Sequence, residues 1–282
     1  EVSMSCVLDP QAPVLTHRGY VPIIDVKPGD KVLTHNGRWR TVTELRRRKY
    51  TGEVVTWRVQ GIPYDVELTA DHPMLAAKLA TKAVAAVSKS AFNDWMKKSK
   101  HEQYEWMGAG LLEPSDRVQA CVASEGIPGE AVIDNEELAE ILGTYMAEGS
   151  VTYNGNKPAA VQFTINGADW AMHHLTGVAH HHWPELTATI APKTNSPVAF
   201  TLTMSSTSLA TYLAKTIGTN SHTKKVPLGL YGASGAVKSA FIGRWIDGDG
   251  WVDSGGAHIS SVNLTALLSA RDLVLSLGRE CV

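Results

Sequence analysis

The chain has 282 residues, of which 44% are hydrophobic and 19% charged, and this length and composition suit a globular protein of two domains. It contains no apolar run long enough to span a membrane and no signal-peptide pattern at its start, so we predict a cytoplasmic protein. Three widely spaced cysteines argue against a disulfide framework, and a net charge of −2 argues against a strongly basic, nucleic-acid-binding composition.

The sequence before residue 124 predicts mainly short strands. β-Branched and apolar runs bounded by Gly, Pro, Asn or Asp lie at residues 20–24, 31–34 and 64–68. A turn followed by a strand occurs at residues 24–32 and again at residues 111–118, which indicates a duplicated β unit. The basic segment at residues 79–104, between the two copies, has a helical pattern and is interpreted as an insertion.

Glycine and proline at residues 124–129 mark a boundary, after which helices and strands alternate. Asp134 and Glu137 have the spacing of a capping box at the start of a helix that continues through Tyr145. Further strands are predicted at residues 161–165 and 198–204. Helices are predicted at residues 169–182, 209–217 and 264–277. Five histidines crowd the first of these helices, and we interpret them as solvent-exposed rather than metal-binding.

One nine-residue pattern occurs twice in this second half. The sequences ILGTYMAEG at residues 141–149 and IGRWIDGDG at residues 242–250 are apolar helices that end in an acid followed by glycine. Two such helices packed side by side would bring Glu148 and Asp249 together, which suits a divalent metal above a phosphate. Gly143 favours close helix contact, whereas Arg244 at the matching position argues against it unless the second helix is rotated.

A series of strands and helices follows the first pattern. The series that follows the second pattern is shorter and lacks counterparts of the last strands and the last helix. We therefore predict that the second domain is incomplete and that the chain is a fragment of a longer protein.

Two separated segments of the first half resemble conserved blocks of a known family. Cys6 begins the sequence CVLDPQAPVLT, and residues 67–75 read ELTADHPML. They resemble the N-terminal part of an intein, of the Hint family, with Cys6 in its first block and Thr69 and His72 in its second. The second half resembles a LAGLIDADG homing endonuclease, in which the sequence around Lys224 and Lys225 matches a lysine-rich block.

The resemblance implies a two-domain α+β protein. Residues 6–123 would form a mostly-β, horseshoe-like Hint domain, and residues 130–282 an incomplete α/β endonuclease domain. Residues 1–5 would be the remnant of a host protein.

For the first domain the resemblance implies protein splicing without a cofactor. The thiolate of Cys6 would attack the carbonyl carbon of Ser5, Thr69 would hold the scissile amide, and His72 would protonate the departing nitrogen. Asp71 would bias the imidazole. The chain shows no terminal His-Asn pair, so splicing would need a further C-terminal segment and the flanking host sequences as partners.

For the second domain the resemblance implies a monomeric enzyme that cuts double-stranded DNA with Mg²⁺. Glu148 and Asp249 would bind the metal, and Gln162 and Thr164 would read bases. Lys224 and Lys225 would contact phosphates and serve the catalytic centre. Residues 130–282 hold 9 lysines and arginines against 13 acidic residues, so DNA binding would need the basic groups focused on one face.

Two other functions remain open from the sequence. One is a Hint protein that only cleaves its N-terminal bond, and the other is a DNA-binding module whose nuclease activity has decayed.

Overall fold

A computed structural model describes residues 6–78, 104–166, 171–194, 196 and 198–281. The chain divides into two compact units, residues 1–124 and 125–281, with the division inside the glycine- and proline-rich boundary segment. Residues 1–5 and nearly all of the predicted insertion at 79–104 lie outside the described residues. None of the helices described is long and apolar enough to cross a membrane.

The first unit consists of short antiparallel strands. In the described residues these strands are β1 (Pro13–Thr16), β2 (Gly19–Pro22), β3 (Lys31–Leu33), β4 (Trp39–Thr41), β5 (Val54–Arg58), β6 (Asp65–Thr69), β7 (Pro73–Ala77), β8 (Glu105–Gly108) and β9 (Arg117–Val118). They form three sheets with the strand orders β2-β1-β3-β4, β5-β6 and β8-β7-β9. The predominance of strands before residue 124 agrees with the sequence pattern.

This unit contains the same arrangement twice. In the first copy β1 pairs with β2 on one side and with β3 on the other, and β7 pairs in the same way with β8 and β9. One turn of 3-10 helix joins the second and third strands of each copy, at Ile23–Asp25 and at Ala109–Leu111. The duplicated β unit predicted from the sequence is therefore confirmed.

Equivalent backbone hydrogen bonds align the two copies residue by residue. The N–H of Ile23 donates to the carbonyl of Ala12 at 2.9 Å, just ahead of the central strand β1. The N–H of Ala109 donates to the carbonyl of His72 at 2.8 Å, just ahead of β7. His72 in the second copy thus occupies the position that Ala12 occupies in the first.

An aspartate closes the turn after each 3-10 segment. The carboxylate of Asp30 accepts the N–H of Lys27 at 2.9 Å, and that of Asp116 accepts the N–H of Glu113 at 2.8 Å. The repeated Pro-x-Asp pattern in the sequence reflects this shared turn chemistry.

The second unit combines helices with antiparallel sheets. Its helices in the described residues are α1 (Glu136–Glu148), α2 (Ala171–His182), α3 (Thr207–Thr216), α4 (Gly235–Asp249) and α5 (Leu264–Ser276). Its strands are β10 (Gly149–Asn154), β11 (Lys157–Asn166), β12 (Thr187–Pro192), β13 (Ala199–Ser205), β14 (Gly250–Asp253) and β15 (Gly256–Ile259). Four strands form a sheet in the order β10-β11-β13-β12, and β14 and β15 form a hairpin.

Alternation along β11 separates the two faces of the larger sheet. Val161, Phe163 and Ile165 are buried, and α1 and α3 pack on this sheet, whereas the intervening Gln162 and Thr164 are half-buried. Apolar residues at every second position thus build the core on one side, and the other side presents polar groups.

Helices α1 and α4 cross at very short distance. A Cβ atom added to Gly143 would lie 2.3 Å from the carbonyl oxygen of Phe241 and 2.9 Å from the Cβ of Arg244. A Cβ on Gly243 would meet nothing within 4 Å. The two helices therefore pack closely although Arg244, and not Gly243, faces Gly143, because Gly143 has no side chain at the contact.

The start of α1 differs from the sequence prediction. Asn135, not Asp134, caps the helix, and its side-chain oxygen accepts the N–H of Leu138 at 2.8 Å. The carboxylate of Glu137 contacts Nδ1 of His181 on α2 at 3.1 Å. The capping-box prediction is wrong because the cap lies one residue later and Glu137 turns to a neighbouring helix.

Candidate functional sites

Cys6 lies at one end of β6. The N–H of Thr69 donates to the carbonyl of Cys6 at 3.0 Å, and the N–H of Leu8 donates to the carbonyl of Glu67 at 2.9 Å. Residues 6–8 therefore run antiparallel to β6. This pairing fixes the backbone of the predicted nucleophile beside the predicted Thr69.

The hydroxyl of Thr69 completes the contact with Cys6. Thr69 is fully buried, and its Oγ1 accepts the N–H of Cys6 at 3.0 Å. This N–H belongs to the peptide bond between Ser5 and Cys6. A buried hydroxyl thus holds the nitrogen of the bond that the sequence predicts to be attacked.

His72 follows in a tight turn. Its N–H donates to the carbonyl of Thr69 at 2.9 Å, and its buried Nδ1 makes no hydrogen bond within the part of the chain that the structure describes. Burial lowers the pKa of the imidazole, and the charge of the exposed Asp71 opposes this shift. The ring is therefore mostly neutral at pH 7, with one nitrogen available for a further hydrogen bond.

The second predicted site lies where α1 and α4 end. A Cβ atom added to Gly248 would lie 2.5 Å from the Cβ of Ala147 and 3.5 Å from Oε1 of Glu148. Asp249 is the next residue along α4, and its Oδ2 accepts the indole N–H of Trp245 at 3.3 Å. Glycine at this position lets the two helix ends approach and brings both predicted metal ligands to one place.

Lys224 reaches the same place from the loop after α3. It is only 5% exposed, and its ammonium donates to the carbonyls of Tyr145 at 2.7 Å and Met146 at 3.0 Å. These carbonyls belong to the last turn of α1, where a cation is favourable. The ammonium of Lys224 therefore faces the end of α1 and not the surface. The predicted phosphate contact of Lys224 is thus not supported, whereas Lys225 is exposed.

The three charges at the helix ends influence each other. Burial and the neighbouring Asp249 raise the pKa of Glu148, and burial also raises the pKa of Asp249. Burial lowers the pKa of Lys224 to about 8, although both carboxylates oppose the shift. Two partly desolvated carboxylates that repel each other form a place where a divalent cation would be stabilised.

The donor set fits Mg²⁺ in its chemistry. Glu148 and Asp249 offer hard oxygen ligands, and Mg²⁺ often binds one or two carboxylates together with waters and substrate phosphates. Among the residues described, no group of three or more His, Cys, Asp or Glu side chains is arranged to hold a metal. The remaining ligands would therefore have to come from water, backbone or substrate.

The two predicted base-reading residues lie on the polar face of the larger sheet. Gln162 donates from its side-chain amide to Oγ1 of Thr203 at 3.4 Å, and Oγ1 of Thr164 accepts from Nζ of Lys193 at 3.1 Å. Lys193 is exposed, and its charge opposes the rise in the pKa of Glu148 that burial and Asp249 cause. Sequence reasoning missed this lysine because only strand pairing brings it to the polar face.

The histidines of α2 partly contradict their interpretation as solvent-exposed. Nε2 of His174 lies 2.5 Å from a carboxylate oxygen of Glu140, whose other oxygen accepts from Arg244 at 3.3 Å. His174 and His182 are half-buried, whereas His181 is exposed. These contacts join α2 to α1 and to α4 through a shared carboxylate.

Two known proteins resemble the chain at low sequence identity. No protein-family model matches it. An uncharacterized protein of Methanocaldococcus jannaschii is 30% identical over 115 residues, which cover 38% of this chain and 15% of that protein. The ATP-dependent DNA helicase Hel308 of Thermococcus kodakarensis is 24% identical over 294 residues, which cover 87% of this chain and 24% of the helicase. The chain thus spans a quarter or less of the length of these relatives.

Proposed function

We propose that the chain is part of a protein-splicing element of the Hint family, in which Cys6 attacks the bond between Ser5 and itself, joined to a LAGLIDADG-type DNA endonuclease. The observation that carries the proposal is the reciprocal pairing of Cys6 with the buried Thr69. This pairing gives a thiol, a hydroxyl acceptor and a nearby imidazole a common backbone frame, as nucleophilic catalysis requires.

The first step is an N-to-S acyl shift. The sulfur of Cys6 bonds to the carbonyl carbon of Ser5, and the bond from that carbon to the nitrogen of Cys6 breaks. The proton of the thiol ends on the released nitrogen, so the products are a thioester and a free α-amine. The hydroxyl of Thr69 holds the peptide in place for this exchange because it accepts the N–H of the same nitrogen.

His72 carries the proton between sulfur and nitrogen. Because burial keeps its imidazole neutral near pH 7, the ring can take the thiol proton and then deliver it to the departing amine. Asp71 stabilises the imidazolium that forms between these events, since its charge opposes the lowering of the ring's pKa by burial.

In the second unit, Glu148 and Asp249 would hold Mg²⁺. The metal would activate water and stabilise charge on a DNA phosphate. Lys224 holds the last turn of α1 and partly offsets the repulsion between the two carboxylates. Gln162, Thr164, Lys193 and Lys225 are the groups available for double-stranded DNA.

The relatives support a separable segment within longer proteins. Most of this chain matches about a quarter of a longer helicase, so the matched segment is only one part of that protein. The sequence has no Gly-Lys dipeptide and therefore no GxxxxGK[ST] phosphate-binding loop, which disfavours ATP hydrolysis by this segment itself. The pairing of Glu148 with Asp249 favours a nuclease over a protein that only cleaves its own N-terminal bond.

A thiol-release experiment tests the first step. A carrier protein fused ahead of Glu1 is expected to be released by dithiothreitol, because the thiol intercepts the thioester at Cys6. Mass spectrometry of the released carrier measures the rate, and Cys6→Ala is expected to abolish release. Absence of release from the unaltered chain, or equal release from Cys6→Ala, would reject the proposed chemistry.

A further inference from the structure

The loop that carries His72 is held by the 3-10 turn Ala109–Leu111. The N–H of Ala109 donates to the carbonyl of His72 at 2.8 Å, and the N–H of Gly110 donates to the carbonyl of Ala70 at 2.8 Å. The carbonyl of Ala109 accepts the indole N–H of Trp57 at 3.1 Å. The position of the His72 backbone therefore depends on the position of this turn.

Lys78 and Asp116 hold the turn from its other end. The ammonium of Lys78 donates to the carbonyl of Leu111, the last residue of the turn, and lies 3.0 Å from Oδ2 of Asp116. The side chain of Asp116 is only 2% exposed, and its carboxylate also accepts the N–H of Glu113 at 2.8 Å. The side chain of Lys78 is 41% exposed, so the pair is buried only on its aspartate side, and replacing Lys78 removes a charged contact of a buried carboxylate.

The first copy of the β unit contains the same arrangement, with Ala12 at the position of His72. Nη2 of Arg18 donates to Oδ2 of Asp30 at 2.8 Å and to the carbonyl of Asp25, the last residue of the equivalent turn, at 3.3 Å. That turn begins at Ile23, whose N–H donates to the carbonyl of Ala12. The first network therefore ends at an alanine that cannot transfer a proton.

We infer that Lys78 and Asp116 are positioning residues for His72 in the acyl shift at Cys6. The inference rests on the proposed function and adds two residues to it that do not touch the reacting atoms. The network of Arg18 and Asp30 likewise joins a cation and an aspartate to the 3-10 turn of its own copy, although His17 also lies 3.8 Å from Asp30. It therefore separates an effect on His72 from a general loss of stability.

Matched substitutions in the two networks test the inference by thiol release. Lys78→Met and Asp116→Asn are expected to slow release by about tenfold or more, since small misplacements of a catalytic group can cost up to about 100-fold in rate. Arg18→Met and Asp30→Asn are expected to stay within about threefold of the unaltered chain. All rates are measured well below the unfolding temperature of each variant, as found by circular dichroism.

Two further measurements distinguish positioning from structural support. Lys78→Arg is expected to restore release, because Arg18 shows that an arginine can make both contacts in this arrangement. In Lys78→Met the pH midpoint of the release rate is expected to rise, because a loosened loop exposes the imidazole to water and relieves the burial that lowers its pKa.

One set of results would overturn the inference, and a different result would reject the proposed function. Equal slowing by Lys78→Met and Arg18→Met would overturn the inference, as would an unchanged rate in Lys78→Met. If Lys78→Met does not fold, Asp116→Asn and Asp30→Asn make the same comparison. Failure of the unaltered chain to release the carrier would instead reject the proposed function.

Discussion

Thr69 and His72, beside Cys6, differ in whether their buried side-chain atoms form hydrogen bonds. Thr69 is fully buried and its hydroxyl is satisfied by the N–H of Cys6, so its cost of desolvation is repaid by a hydrogen bond. Nδ1 of His72 is buried without such a bond in the described residues. Functional polar groups often have no hydrogen-bond partner until they contact a substrate, and here that substrate would be part of the same chain.

Glu148 and Asp249 are expected to bind Mg²⁺ only in the folded protein. Binding at about tenfold above Kd would stabilise the second unit by on the order of 1 kcal/mol and raise its Tm by about 2–4 °C. Glu148→Gln is expected to lose this increase, because one ligand and its charge are removed. Scanning calorimetry at constant ionic strength, with and without MgCl₂, measures the shift.

Asp247→Asn supplies the control for this prediction. Asp247 lies on the same helix as Asp249 but points to Arg244, with 3.3 Å between the charged groups, and its side chain is largely exposed. The variant should keep the full Mg²⁺ effect. A Tm increase in Glu148→Gln equal to that of the unaltered chain would remove this residue from the metal site.

At the level of the elements, the contact between α1 and α4 decides whether the acidic helix ends meet. The repeated sequence pattern correctly indicated two helices that end in acids followed by glycine. It also indicated Gly143 as a position of close contact, but it did not indicate which residue of the second helix faces Gly143, because that depends on the rotation of this helix about its own axis. The structure shows that Gly143 and Gly248 are the close positions and that Gly243 is not.

Gly143→Ala is expected to destabilise the second unit by about 1–3 kcal/mol, the usual cost of overpacking a close contact. The reason is the carbonyl of Phe241, which would lie 2.3 Å from the new methyl group. Gly243→Ala in the partner helix meets nothing within 4 Å. It should stabilise the helix by about 0.5–1 kcal/mol because alanine loses less backbone entropy. Urea unfolding of both variants checks the opposite signs, and two changes of the same sign would contradict the described crossing.

Considered as a whole, the molecule consists of two units that each have their own sheets and apolar core. In the first unit, the two copies of the β unit repeat their pairing, their 3-10 turns and an ion pair between a buried aspartate and a partly exposed cation. Only one copy has a histidine ahead of its central strand. A duplicated structural plan can thus support one asymmetric chemical site.

The two units are expected to unfold in separate transitions, because compact units with their own cores commonly fold independently. Gly143→Ala should lower only the transition of residues 125–281, and Asp30→Asn only that of residues 1–124. Calorimetry of the full chain tests this expectation. A single transition that both substitutions shift equally would show that the units are energetically coupled.

The sequence by itself determined the features that depend on neighbouring residues. The turns at Asp30 and Asp116 and the alternation along β11 follow from local backbone chemistry and from periodic burial. The ends of α1 and α4 were predicted at the right residues, but the glycine after each helix has a negative φ and is not a left-handed cap. These features were sufficient to predict a duplicated β unit and two acid-tipped helices.

Only the tertiary structure decided which distant groups meet. Cys6 and Thr69 are 63 residues apart, and Lys224 and Tyr145 are 79 residues apart. The burial that lowers the pKa of Lys224 and the contact that joins Lys78 to Asp116 arise from the packing of several elements at once. A local pattern cannot specify such contacts, because they depend on where the intervening chain places both partners.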